Sequence, residues 1–180
     1  MEENESLNIA IIDDNEGDII IIKKHLQKYF PNAAFVTADS KKAFEEKIQW
    51  MEPHIVLSDY NLPDCTGLDL LLYTKQHYPS VPFVFITGML NDEEKTAEVI
   101  LNGANGYILK QNVSTVGPKV ADTLFKNKAM VSENDLKRRK MDELSMGIDK
   151  LKQYITDQKD HSELLKIVTE LESGIQFLKF

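Results

Sequence analysis

Two aspartates, Asp13 and Asp14, close a short apolar run, and a third, Asp59, closes another. Thr87 ends a third apolar run and Lys110 a fourth. Three carboxylates crowded together repel, and one or more would rise in pKa unless a cation sat among them. A hard divalent ion such as Mg²⁺ suits two carboxylates completed by waters and a backbone carbonyl. A lysine and a hydroxyl beside that ion would face whatever anion binds there. Metal, ammonium and hydroxyl donor are the parts that hold three charged oxygens during phosphoryl transfer. The chemistry requires elements far apart in the chain to converge on one place.

The pattern of the chain supplies such elements. Residues 7–12 are a nearly continuous apolar run, as expected of a strand buried on both faces. Residues 16–30 contain Ile19 to Ile22, but their length, Lys23-Lys24 and the return of apolar residues at Leu26 and Phe30 favour an amphipathic helix, stopped by Pro31. Further strands are expected at 33–38, 54–59, 81–86 and 107–110. Between them, helices are expected at 41–51, started by Asp39-Ser40, at 67–78, and from an Asn91-Asp-Glu-Glu94 capping box to about Leu101. A fifth helix follows at about 114–130, with Pro118 in its first turn, where proline is tolerated. Strand and helix alternate five times at spacing suited to right-handed crossovers, which predicts a doubly wound α/β fold with a five-stranded parallel sheet. In such a sheet the carboxyl ends of strands 1, 3, 4 and 5 lie side by side, so Asp13, Asp14, Asp59, Thr87 and Lys110 share one rim.

Composition narrows the class. A chain of 180 residues with 42% hydrophobic and 28% charged residues has the makeup of a soluble globular protein. A net charge of −8 argues against general affinity for nucleic acid or anionic lipid. The acidic start Met-Glu-Glu-Asn-Glu lacks the layout of a secretory signal, and no apolar run is long enough to span a membrane, so a cytoplasmic location is expected. The single cysteine, Cys65, excludes an internal disulfide, and with nothing basic adjacent it reads as an unreactive loop thiol.

Near Val131 the composition shifts. All six prolines precede it, and the remainder reads as helix. Met141, Leu144, Ile148, Leu151 and Ile155 repeat at heptad spacing, as do Leu164, Val168, Leu171, Ile175 and Leu178. Polar residues 156–162 separate the series, so the expectation is a domain at 1–130 followed by an α-helical hairpin at 131–180. Two helices alone make a thin core, which calls for a partner surface, on the body of the chain or on a second copy. Lys137-Arg-Arg-Lys140 is diluted among nine basic and ten acidic residues from Ser132 onward and reads as a solvated face.

Four stretches in order, Ile11-Ile-Asp13-Asp14, Val56-Leu-Ser-Asp59-Tyr-Asn-Leu-Pro63, Phe85-Ile-Thr87-Gly88 and Gly106-Tyr107-Ile-Leu-Lys110, resemble the receiver domain of two-component response regulators, over roughly residues 6–130. That resemblance implies a flavodoxin-like fold and a phosphoryl group accepted on Asp59 from a sensor histidine kinase or a phosphotransfer protein. It implies Mg²⁺ held by Asp14 and Asp59, by Asp13 largely through water, and by the Asn61 main-chain carbonyl. Lys110 would pair with the acceptor carboxylate and then with the phosphoryl group, and Thr87 would hydrogen-bond a phosphoryl oxygen. Tyr107 matches an aromatic that swings inward with Thr87; a half-buried strand aromatic is the plainer reading.

The family usually has proline after the lysine, joined by a cis bond, whereas Gln111 follows here. A cis bond before a non-proline residue costs ~3 kcal/mol, so either that strain is kept to aim Lys110 or the loop is trans and takes another path. The expected function is a signalling module acting through altered protein–protein contact or dimerisation, with no DNA-binding output domain and no enzymatic activity beyond self-catalysed aspartyl phosphorylation and dephosphorylation. The alternative is a phosphorelay intermediate, or a phosphotransfer or phosphatase element using the helical tail. His161 lacks the context of a kinase phosphoacceptor histidine and reads as a polar turn residue.

Overall fold

A computed structural model describes residues 7–88, 93–156, 166, 168–171 and 173. Five strands, β1 (Asn8–Ile12), β2 (Ala34–Ala38), β3 (Ile55–Ser58), β4 (Phe83–Thr87) and β5 (Gly106–Leu109), form one sheet in the order β2-β1-β3-β4-β5. Every pairing is parallel. The connecting helices are α1 (Glu16–Tyr29), α2 (Lys41–Ile48), α3 (Gly67–His77) and α4 (Glu93–Leu101). After β5 come a 3₁₀ turn, Lys110–Thr115, and a long helix, α5 (Val116–Thr156).

Both faces of the sheet are buried, and alternation along each strand assigns its residues to one core or the other. Ile9 and Ile11 of β1 pack with Ile22 and Leu26 of α1 and Val116 and Val120 of α5. Ala10 and Ile12 pack with Phe44, Leu70, Leu71 and Val99 of α2, α3 and α4. Each large apolar side chain buried in this way contributes roughly 1.5–3 kcal/mol. Because the chain leaves β1 toward β2 and then crosses to β3 on the other side, the carboxyl ends of β1 and β3 flank the point where strand order reverses.

Local signals explain the ends of the elements. Asn15 caps α1, accepting from the amides of Gly17 and Asp18, so the four consecutive isoleucines are helical: Ile22 is buried while Ile20 and Ile21 face outward. Ser40 caps α2, and Thr66 with Asp69 forms a capping box at α3. β4 starts at Phe83 rather than at residue 81, because Pro82 has no N–H to give the ladder; its carbonyl accepts from Val56. The turn from α4 into β5 places Gly103 at φ +92, a backbone region that other residues rarely adopt. The capping-box residues Asn91 and Asp92 lie outside the described residues.

The chain divides into two compact units, Met1–Asn127 and Lys128–Phe180. No helix break accompanies the change of composition near Val131, so the expected fifth helix and the first arm of the hairpin are one 41-residue element. In the second unit Ile148 and Val168 are buried, whereas Leu144, Leu151 and Leu171 are more than half exposed. The polar turn expected at 156–162 and His161 within it lie outside the described residues.

Candidate functional site

Asp13 directly follows β1, and its amide extends the ladder by donating to Ala38. Asp59 directly follows β3 and donates likewise to Ile12. Both are buried, Asp13 almost completely, while Asp14 is exposed. One carboxylate oxygen from each of the three lies within 4.8 Å of the others. The convergence read from the chain is therefore present.

Lys110 is the first residue past β5, and its trans peptide to Gln111 leads straight into the 3₁₀ turn. Of the two paths left open for this loop, the chain takes the trans one. The Lys110 ammonium reaches the rim all the same: Nζ lies 2.7 Å from Asp13 Oδ2 and 2.8 Å from Asp59 Oδ2. It also donates to Asp18 Oδ2 at 2.8 Å. Burial lowers the affinity of Lys110 for its proton, but its bonds to Asp13, Asp18 and Asp59 outweigh this and hold its pKa above the usual lysine range. Burial conversely raises the pKa of Asp13, opposed by Lys110 and by the Asn15 amide, which donates to Asp13 Oδ1 at 2.9 Å.

Asp59 Oδ1 accepts from the Tyr60 amide at 2.6 Å, which orients the carboxylate at the mouth of the loop. Asn61, two residues on, forms an antiparallel bridge with Thr66 that folds this loop back on itself. Thr87 is the buried last residue of β4 and pairs in register with Leu109, the residue before Lys110. Tyr107 pairs with Phe85 and is 43% exposed, so its ring faces outward.

The donor set fits a hard divalent cation. Three carboxylates supply oxygen ligands at short range, and among the described residues Asp13 Oδ2 accepts no hydrogen bond besides its ion pair with Lys110. A buried carboxylate whose pKa is raised, beside two others, is one that a divalent cation would stabilise.

The sequence reading missed Asp18. Its sign was available: with Asn15 as cap, residue 18 falls in the first turn of α1, at the end of the helix next to Asp13. Also missed was Asp64, whose carboxylate accepts from the amides of Lys41 and Lys42 at 3.0 and 3.1 Å and so ties the loop after β3 to the start of α2. Those amide bonds hold the Asp64 carboxyl below the usual range. Cys65 sits beside it, and burial together with Asp64 and Asp69 pushes its thiol up to about 11.

A family model for the response regulator receiver domain matches residues 9–116. The chain is a receiver. Among curated proteins, the receiver resembles the transcriptional regulatory protein RcsB of Salmonella typhi, 28% identical over 133 residues, which are 72% of this chain and 61% of that protein. The chain thus spans under two thirds of the length of this relative. The isolated REC domain of RcsB from Salmonella enterica serovar Typhimurium, solved with the phosphomimetic BeF3⁻, superposes with a TM-score of 0.61 at 25% identity, covering 68% of this chain and 90% of that one. A CheY-like receiver domain protein from Methanospirillum hungatei JF-1 shares the fold with a TM-score of 0.63 at 24% identity, over 70% of this chain and 99% of that one. This receiver continues into a long C-terminal helix, α5.

Proposed function

We propose that this receiver accepts a phosphoryl group on Asp59 in a Mg²⁺-dependent reaction and passes the signal on by changing its protein contacts. The observation that carries this reading is the meeting of Asp13, Asp14 and Asp59 within 4.8 Å, with Lys110 bonded to the acceptor. An Asp59 carboxylate oxygen attacks phosphorus of a phosphohistidine on a sensor kinase or phosphotransfer protein. The P–N bond breaks, and its electron pair returns to the imidazole nitrogen, which takes up a proton. Asp14 and Asp59 would hold the Mg²⁺, with Asp13 and the Asn61 carbonyl completing the set. When bound, the ion neutralises charge on the transferred oxygens.

The side chains of the protein do the rest. Lys110 moves from the carboxylate to a phosphoryl oxygen, and Thr87 donates its hydroxyl to another. The outward ring of Tyr107 borders a groove of about 830 Å³ shared with Ile100, Pro118, Lys119 and Asp122. Inward movement of Tyr107 after Thr87 reshapes that face, a shift of a pre-existing equilibrium. The second unit, with Leu144, Leu151 and Leu171 exposed, supplies an apolar surface for a second copy of the chain. Residues 131–180 are then the dimerisation segment. The receiver catalyses its own phosphorylation and dephosphorylation and no other reaction. Its proposed place of action is the cytoplasm. Among the described residues no helix is long and apolar enough to cross a membrane.

Light scattering with Mg²⁺, before and after addition of beryllofluoride, tests the signalling step. A mass change in the wild type that is absent in Asp59→Asn supports a switch acting through assembly. Identical behaviour of the two proteins toward self and partner removes the link between Asp59 and output.

A further inference from the structure

Asp18 has no place in the scheme above, yet it holds the residue on which that scheme turns. Its position is built from the sequence outward. The Asn15 amide donates to Asp13 Oδ1, and Asn15 Oδ1 in turn accepts from Gly17 and Asp18 amides at 2.9 and 3.4 Å. This capped turn sets the Asp18 carboxylate across from Lys110, 92 residues away in sequence, with 28% of its side chain exposed.

An ammonium has three N–H groups. In this receiver three carboxylate oxygens, from Asp13, Asp18 and Asp59, already stand within 2.8 Å of Lys110 Nζ. A fourth acceptor, a phosphoryl oxygen, is bonded only when one of these is given up. Asp13 and Asp59 belong to the carboxylate set able to take a cation, so an ion there draws charge away from the ammonium. Asp18 is outside that set. It is the acceptor that nothing in the loaded site would relieve.

We infer that Asp18 competes with the phosphoryl group for Lys110, and thereby weakens loading of the site. This rests on the reading of Asp59 as phosphoacceptor. Asp18 is a positioning residue: it acts through the ammonium. Its removal leaves Lys110 free to turn from α1 toward the phosphoryl oxygen and takes one negative charge from the approach.

The test is the affinity of the full chain for beryllofluoride in saturating Mg²⁺, read by fluorine NMR. Asp18→Asn and, as a second uncharged variant in case the first fails to fold, Asp18→Ser are compared with Asp18→Glu. The uncharged variants are expected to bind about three- to tenfold more tightly than the wild type, the size expected for one unit charge about 4 Å away when water screens it fully. Asp18→Glu, which retains the charge, is expected to stay within about twofold of wild type on the same argument. In a Lys110→Ala background the gain from removing Asp18 falls below about twofold, the remainder expected of a charge acting directly across roughly 10 Å of water. Uncharged variants that bind no better than the wild type overturn the inference, as does a gain that persists undiminished without Lys110, which would be charge repulsion alone. Were the wild type to show no binding, or binding unchanged in Asp59→Asn, the acceptor reading itself would fall and this inference with it.

Discussion

Gly67 lies against Phe85 so closely that a Cβ at that position would stand 2.6 Å from Phe85 Cε1. The same atom would come within 2.8 Å of the Asp59 carbonyl oxygen and the Tyr60 Cα. The first helical residue of α3 is thus seated directly on the loop that carries Asp59, and the Gly67 amide fastens it by donating to Tyr60 at 2.6 Å. Two of the three obstacles are backbone, so Gly67→Ala must displace the loop or the fully buried Phe85 ring. The expected loss is about 1–3 kcal/mol, the usual range for overpacking. Urea denaturation measures it, and an unchanged midpoint contradicts the close approach.

Asp13 is expected to make stability depend on pH and, through the proposed ion site, on Mg²⁺. Burial raises its pKa above the ordinary 3.8. Between that value and the raised native one the folded state holds more protons than the unfolded, so this group's contribution to stability falls as pH rises through the window. Asp13→Asn removes that fall together with one like charge in the cluster. Without divalent cations and at neutral pH, the variant is expected to be more stable by about 1 kcal/mol. Melting curves from pH 4 to 8 with and without Mg²⁺ check this: the wild type gains stability on adding the ion, and the variant gains little.

Cys65 should be nearly inert in the native state. With its thiol pushed up to about 11 by burial and by Asp64 and Asp69, almost none is thiolate at pH 7. Alkylation by iodoacetamide is expected to run at least about tenfold slower than in urea-unfolded protein and to accelerate as pH is raised toward 11. Rapid alkylation of native protein at pH 7 would contradict this environment.

If the second unit pairs with a second copy, Leu144 and Leu151 are the residues to disturb, each more than half exposed on α5. Burying both contributes roughly 2–4 kcal/mol to association. The double variant Leu144→Glu, Leu151→Glu is expected to weaken any dimer by more than about tenfold on that basis. Sedimentation or light scattering across a dilution series gives the answer.

What could be read in the sequence followed the range of the interaction. Asp13, Asp59 and Lys110 were legible because each ends an apolar run, and strand order alone brings those ends together. The isoleucines 19–22 were legible as helix because Pro31, Lys23 and Leu26 bound the period. The contact of Asp18 with Lys110 was not, since no local pattern links residues 92 apart. Asp64 escaped for the same reason: it caps a helix starting 23 residues before it. The length of α5 was hidden by a shift in composition that changes no backbone preference; no glycine or proline stands between Pro118 and Gly147, so nothing stops the helix.

The central claim is that Asp59 forms an acyl phosphate. Protein incubated with a kinase or a small phosphodonor in Mg²⁺ would be reduced with borohydride, which converts an aspartyl phosphate to homoserine, and the peptides analysed by mass spectrometry. The account predicts homoserine at position 59, dependent on Mg²⁺ and on donor. Homoserine at another aspartate, or none in a protein that retains phosphate, would contradict it.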